Sequence, residues 1–178
     1  HSAMGEYHYY PVQGFTGQWY DPITGSAYRG PSWIVTEDRG THYMEQTRLS
    51  APGPRVSCPT LVAGEKDWKD YSVSVQMRPM TIQERTGILF RYQTSLAHYC
   101  FCLEEQKARI LKVDKDKTEV LTETPYAYDS DHLYRLEVCC KGDTFRASID
   151  GQGVLIAQDA TYDAGCIALA AYMPAQYT

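Results

Sequence analysis

The chain has 178 residues, of which 43% are hydrophobic and 22% charged, a balance that suits one soluble globular domain with its own core. Its formal net charge is −5, which leaves out the concentrated positive field that a nucleic-acid partner requires. No apolar run approaches the length of a membrane span, so no membrane partner is expected. Tyrosine is the over-used residue, at 15 against 4 Phe and 3 Trp. Its flat apolar face and polar tip suit wet ligands with apolar faces, such as sugars, and suit β-strands equally well.

The opening HSAMG (1–5) reads as an expression-tag remnant, leaving 6–178 as a single domain. The end, AAYMPAQYT, looks like a late strand entering a turn and suits a module of a larger protein. The first sixty or so residues are rich in turn formers (DPITG, RGPS, TEDRG, SAPGPR), with the extended pieces SWIVTED and HYMEQTRL between them. From Trp68 the pattern is regular. YSVSVQMRP (71–79) alternates Tyr71, Val73, Val75 and Met77 against Ser72, Ser74, Gln76 and Arg78, the signature of a half-buried strand. TGILFRYQ, AHYCFCLEE, ARILKVD, TEVLTET, HLYRLEVCCKG, TFRASIDG, VLIAQD and GCIALAAYM follow, parted by SLA, DKDK, KGD, DGQG and YDAG. Asp150-Gly151 supplies the positive φ angles of a tight hairpin. Short strands at this spacing, with no helical periodicity, predict an all-β antiparallel sandwich or jelly roll.

Alternation assigns the faces. Ile88, Phe90 and Tyr92 fall on one side of their strand, with Leu89 and Arg91 on the other. Tyr99, Phe101 and Leu103 oppose His98, Cys100 and Cys102; Tyr134, Leu136 and Val138 oppose Arg135 and Glu137; Phe145, Ala147 and Ile149 oppose Arg146 and Ser148. With the aromatic faces turned inward, Arg91, His98 and two cysteines decorate a second sheet face, and cysteine there implies a covered or concave surface. The six cysteines (Cys58, Cys100, Cys102, Cys139, Cys140, Cys166) permit disulfides without requiring them, and buried reduced thiols are expected for most. None has the spacing of a zinc knuckle.

The succession DWKDYSVSVQMRP, GILFRYQ, HYCFCLEE, HLYRLEVCCKGDTFRASIDGQGV and GCIALAAYM resembles the concanavalin-A-like, laminin-G-like jelly roll over about residues 32–173. More narrowly it is similar to glycoside-hydrolase-family-16-like domains, including 3-keto-disaccharide hydrolase-like ones, and SWIVTEDRGTHYMEQT resembles their opening segment. The resemblance implies two curved antiparallel sheets, a ligand on the concave one, and a structural calcium held at an edge loop. Asp21 and Asp159 are the acidic loop candidates for that ion, although a lone aspartate is more often simply solvated. The fold hosts lectins, binding modules, glucanases, lyases and sugar hydrolases, so it leaves function open.

The Glu-x-Asp-x-x-Glu strand of that family's retaining glucanases is absent; Glu104 and Glu105 are adjacent and point apart. Arg91, Arg135 and Arg146 could fork onto a uronate or vicinal hydroxyls, the bland alternative being cross-strand Arg–Glu ladders. His98 could move a proton in a lyase, although a hydrogen-bonded sheet histidine is the commoner case. Trp19 and Tyr20 in GQWYDP could stack on pyranose faces, whereas Trp33 and Trp68 read as a core plug and a strand anchor. The expected function is a noncatalytic carbohydrate-binding module, extracellular or periplasmic, with a neighbouring catalytic domain or subunit as partner. A polysaccharide lyase or sugar hydrolase is the second reading, and a structural or interaction module the third.

Overall fold

A computed structural model describes residues 19–20, 22, 33–38, 40–47, 59–171 and 175–177. These residues form strands and no helix: β1 (Trp33–Asp38), β2 (Thr41–Gln46), β3 (Thr60–Ala63), β4 (Tyr71–Pro79), β5 (Thr86–Thr94), β6 (Ala97–Glu104), β7 (Lys107–Asp114), β8 (Lys117–Pro125), β9 (Tyr134–Lys141), β10 (Thr144–Ile149), β11 (Gln152–Gln158), β12 (Cys166–Ala171) and β13 (Ala175–Tyr177). A seven-stranded sheet runs β1-β2-β13-β4-β9-β10-β11 and a six-stranded sheet runs β3-β12-β5-β6-β7-β8. Their pairings are antiparallel throughout. The all-β antiparallel two-sheet sandwich expected from the alternation is therefore the fold. β3 and β13 were not expected, because four residues (TLVA) and three (AQY) are too short to show a period.

The alternation survives in β4, β6, β9 and β10, and these strands build the core. Phe101, Leu103 and Ile110 of the six-stranded sheet face Leu136, Val138, Ala147 and Ile149 of the other, all nearly fully buried. Phe145 spans the gap, with its ring 5.0 Å from Phe90 and 4.6 Å from Tyr99. Burying one such side chain contributes roughly 1.5–3 kcal/mol. Trp33 lies in this core with its ring 5.7 Å from that of Tyr177, as a core plug should.

The two outer faces differ. Ser72, Ser74, Gln76, Arg135 and Arg146 leave the seven-stranded sheet open and polar. The second face of the six-stranded sheet carries its own buried cluster: Val62, Leu89, Tyr92, Cys100, Cys102, Leu111, Cys166, Ala168 and Ala170. The covered face implied by cysteine is thus present. Cys100, Cys102, Cys139, Cys140 and Cys166 are free thiols, and Cys139 and Cys140 take opposite faces. Toward β8 this face turns charged, where Arg109 meets Glu104 at 2.6 Å, Glu123 at 2.9 Å and Glu105 at 3.2 Å.

One face assignment is corrected. Arg91 has φ +46, and the β5–β6 register shifts between Phe90 and Thr94. The bulge flips the alternation, so Tyr92 joins Leu89 on the second face while Arg91 swings to the core side, over the Phe145 ring at 5.1 Å.

Candidate functional site

One concavity lies where β3 ends. Tyr20 extends that edge as a one-residue bridge, exchanging backbone hydrogen bonds with Val62 at 2.9 and 2.8 Å. Its ring stays 50% exposed. The chain then turns at Gly64, whose φ is +89 and where a Cβ would sit 2.5 Å from the Trp68 ring. Only glycine fits that contact and that backbone. Trp68 rests edge-on against Tyr71 at 6.0 Å, so it anchors the start of β4 as expected. The tight turn pushes Glu65, Lys66 and Asp67 into solvent. Cys166 closes the site at the start of β12, its thiol 3.5 Å from the Gly64 carbonyl.

Tyr20, Gly64, Glu65, Lys66, Asp67 and Cys166 line a depression of about 410 Å³. It combines a flat apolar ring, two carboxylates that accept hydrogen bonds and an ammonium that donates them. A small site needs this mixture of apolar wall and few convergent polar groups to hold a hydroxyl-rich ligand. Burial raises the Tyr20 phenol, helped by Cys166, and burial raises the Cys166 thiol, so both remain protonated at neutral pH.

A second depression of about 380 Å³ is lined by Ile82, Gln106, Ala127, Tyr128, Asp129 and Ser130. Gln106 and Tyr128 are already engaged. The Gln106 amide donates to the Tyr128 carbonyl at 2.8 Å and accepts from the Tyr128 N–H at 2.9 Å, and the Tyr128 hydroxyl donates to the Ile82 carbonyl at 3.0 Å. Tyr128 itself is 4% exposed, so this hollow offers no aromatic platform.

The residues expected from the sequence do not converge. The expectation that Arg91 reaches a ligand from the second face is corrected, because it is 1% exposed. Its guanidinium donates to the carbonyls of Tyr162 (2.8 Å), Lys69 (3.4 Å) and Gly142. His98 does lie on the second face but is 8% exposed, stacked 5.6 Å from Tyr92, with Nδ1 3.0 Å from the Thr94 carbonyl. Nδ1 must carry the proton to donate there, and burial pulls the ring down to about 4, so His98 is neutral at pH 7. Arg135 and Arg146 are exposed on the seven-stranded sheet. Arg135 Nε donates to Ser74 Oγ at 2.9 Å, and its Nη2 lies 3.9 Å from Glu137, two residues along the same strand rather than across a ladder. Trp19 is half-buried and packs against the main core.

Of the two calcium candidates, the structure describes Asp159. Asp159 Oδ1 accepts from Tyr99 at 2.5 Å and from the Thr161 N–H at 2.9 Å, and Oδ2 is 2.8 Å from Lys112 Nζ. A calcium ion needs six or more oxygens and would have to displace that ammonium, so the residues around Asp159 do not fit one. Among the described residues no three His, Cys, Asp or Glu side chains cluster for a metal. Asp21 lies outside the described residues.

The sequence reading named Tyr20 and did not name Glu65, Lys66 or Asp67, which line the depression with it. The signal was there in AGEKDW, a glycine followed by three charged residues and a tryptophan, but nothing in it says that Tyr20 stands opposite.

The architecture defines the chain as an antiparallel two-sheet β-sandwich. No protein-family profile and no curated protein matches it. Among solved structures it is similar to the carbohydrate-binding module CBM66 from Bacillus subtilis (TM-score 0.68, 13% identity, covering 90% of this chain and 92% of that one). It is also similar to the GH43 protein BlXynB from Bacillus licheniformis, in a mutant form (0.62, 18%, 93% and 36%). A third is a Bacillus subtilis protein of unknown function with a galectin-like fold (0.57, 14%, 82% and 83%). The chain thus spans nearly all of the first and about a third of the second. At such identities the likeness establishes the sandwich; the narrower family-16-like grouping finds no counterpart among these three.

Proposed function

We propose that the chain is a noncatalytic carbohydrate-binding β-sandwich and that its ligand sits in the Tyr20 depression. One observation carries this: an exposed tyrosine ring, Glu65, Lys66 and Asp67 line a single concavity at a loop-rich end of the sandwich. The ring offers a stacking face to the C–H side of a sugar, and the charged groups meet its hydroxyls. The likeness to a carbohydrate-binding module of about this length supports the reading. In it the chain works outside the cytoplasm as one module of a polysaccharide-processing protein, beside a catalytic domain or subunit. Arg135 and Arg146, on the open sheet, are proposed as outlying contacts for a longer glycan.

A hydrolytic reading attaches to the same place, since Glu65 and Asp67 are two carboxylates in one depression, the residue type a glycosidase pair requires. The lyase reading is weaker: Arg91 and His98 project to opposite sides of the six-stranded sheet and cannot embrace one uronate.

The test is a panel of xylan, xyloglucan and polygalacturonate oligosaccharides against wild type and Tyr20→Ala, with calorimetry and reducing-end detection in parallel. Saturable binding weakened at least about tenfold in Tyr20→Ala, without product, is expected; tenfold is about 1.4 kcal/mol. New reducing ends that vanish in Glu65→Gln or Asp67→Asn would establish hydrolysis instead. A folded wild type that neither binds nor cleaves any glycan would leave the structural or interaction module.

A further inference from the structure

Arg91 is the most unusual residue of the fold. It is a cation, 1% exposed, with positive φ, and among the described residues it has no carboxylate partner and no acceptor for its buried Nε. A buried charge normally demands a counter-charge. Here carbonyl dipoles and the Phe145 ring take that part.

The three carbonyls belong to three separate segments: Lys69 before β4, Gly142 in the β9–β10 turn, and Tyr162 between β11 and β12. The backbone of Arg91 adds two further ties. Its N–H donates to the Tyr71 hydroxyl at 2.7 Å. Its carbonyl carbon lies where a Cβ on Gly165 would be 2.3 Å away, so Gly165 packs directly on the bulge. Gly165 in turn donates to the Trp68 carbonyl at 3.0 Å, and the Trp68 ring covers Gly64. Cys166, next in the chain, touches the Gly64 carbonyl from below.

These contacts form one continuous path from Arg91 to the wall of the Tyr20 depression. We infer that Arg91 is a positioning residue: its fork and its bulge fix the Gly64–Asp70 loop and so hold Glu65, Lys66 and Asp67 opposite Tyr20. The inference rests on the depression being the glycan site, but loop fixation has a readout of its own. Lysine cannot replace the fork, because its three donors radiate from one nitrogen on a flexible stem, whereas the three carbonyls are divided between the two terminal nitrogens of a rigid guanidinium.

The experiment compares wild type, Arg91→Lys, Tyr71→Phe and Tyr20→Ala by amide hydrogen exchange well below the melting temperature, and by affinity for the xylan, xyloglucan and polygalacturonate fragments. In Arg91→Lys, exchange at Trp68, Gly142 and Gly165 should rise at least about tenfold while the Asp131 amide, bonded to the Pro79 carbonyl at the opposite end of β4 from Tyr71, stays unchanged, and affinity should fall at least about tenfold. Tyr71→Phe, which removes one acceptor and little volume, should show the same pattern more weakly and covers the case in which Arg91→Lys does not fold. Exchange that rises uniformly, or not at all at those three amides, would overturn the inference. So would wild-type affinity in a loosened loop. If Tyr20→Ala binds as well as wild type, the glycan-site reading fails instead, whatever the exchange shows.

Discussion

Two polar side chains, buried His98 and half-buried Asp159, make the fold lose stability in acid over two different pH ranges. His98 binds its proton near pH 4 in the fold, against 6.5 for an ordinary histidine, because burial disfavours the imidazolium. The unfolded chain therefore takes up a proton first as pH falls, and stability decreases from about pH 6.5 to 4, by about 3 kcal/mol for that shift. Asp159 acts lower on the scale. Burial opposes its ionisation, yet hydrogen bonds from Lys112, Thr161 and Tyr99 outweigh it and hold the carboxyl well below the usual range. Its stabilisation is present above the ordinary carboxylate pKa near 4 and fades as pH falls further. Urea midpoints measured from pH 8 to 3 should show both. His98→Phe should flatten the upper segment and Asp159→Asn the lower one; parallel curves for either variant would refute its assignment.

At the scale of the strand, glycines separate by what stands beside them. A Cβ at Gly87 would lie 2.1 Å from the Phe101 carbonyl on the neighbouring β6, whereas one at Gly151 meets nothing within 4 Å and suffers only from φ +78. Gly87→Ala should cost about 3 kcal/mol or more, by forcing β5 and β6 apart, and Gly151→Ala about 1 kcal/mol. Equal chemical denaturation midpoints for the two variants would contradict this. Hairpins divide in the same way. Asp150-Gly151 announces its turn, but Glu105-Gln106 makes one with φ +52 and +59 and no glycine at all. There the Gln106 side chain is held by tertiary hydrogen bonds to Tyr128, 22 residues away, rather than by local preference.

Across the whole molecule, the sandwich is joined by aromatic rings that reach from one sheet to the other. Phe145, on β10, touches Phe90 and Tyr99 of the opposite sheet and underlies the Arg91 guanidinium. Phe145→Ala should cost about 3–5 kcal/mol in thermal or urea unfolding. A change below about 1 kcal/mol would mean that the sheets do not depend on this bridge. The same end of the molecule gathers the loops that form the depression, so core packing and site geometry are mechanically linked through Arg91.

The sequence by itself determined the fold class and most of the faces. Period-two alternation in β4, β6, β9 and β10 is a local property, readable because each residue's neighbours two positions away share its fate. It also singled out Tyr20, and it anticipated that cysteines on a second sheet face require cover. It misplaced Arg91, since a bulge that shifts the register by one residue leaves no mark on composition. The candidate site emerges only in three dimensions. Tyr20 and Glu65–Asp67 are brought together by a single backbone bridge to Val62, and their wall is steadied through Gly165 and Trp68. Such contacts depend on chain segments distant in sequence meeting at one end of the sandwich, and no local pattern encodes which segments meet.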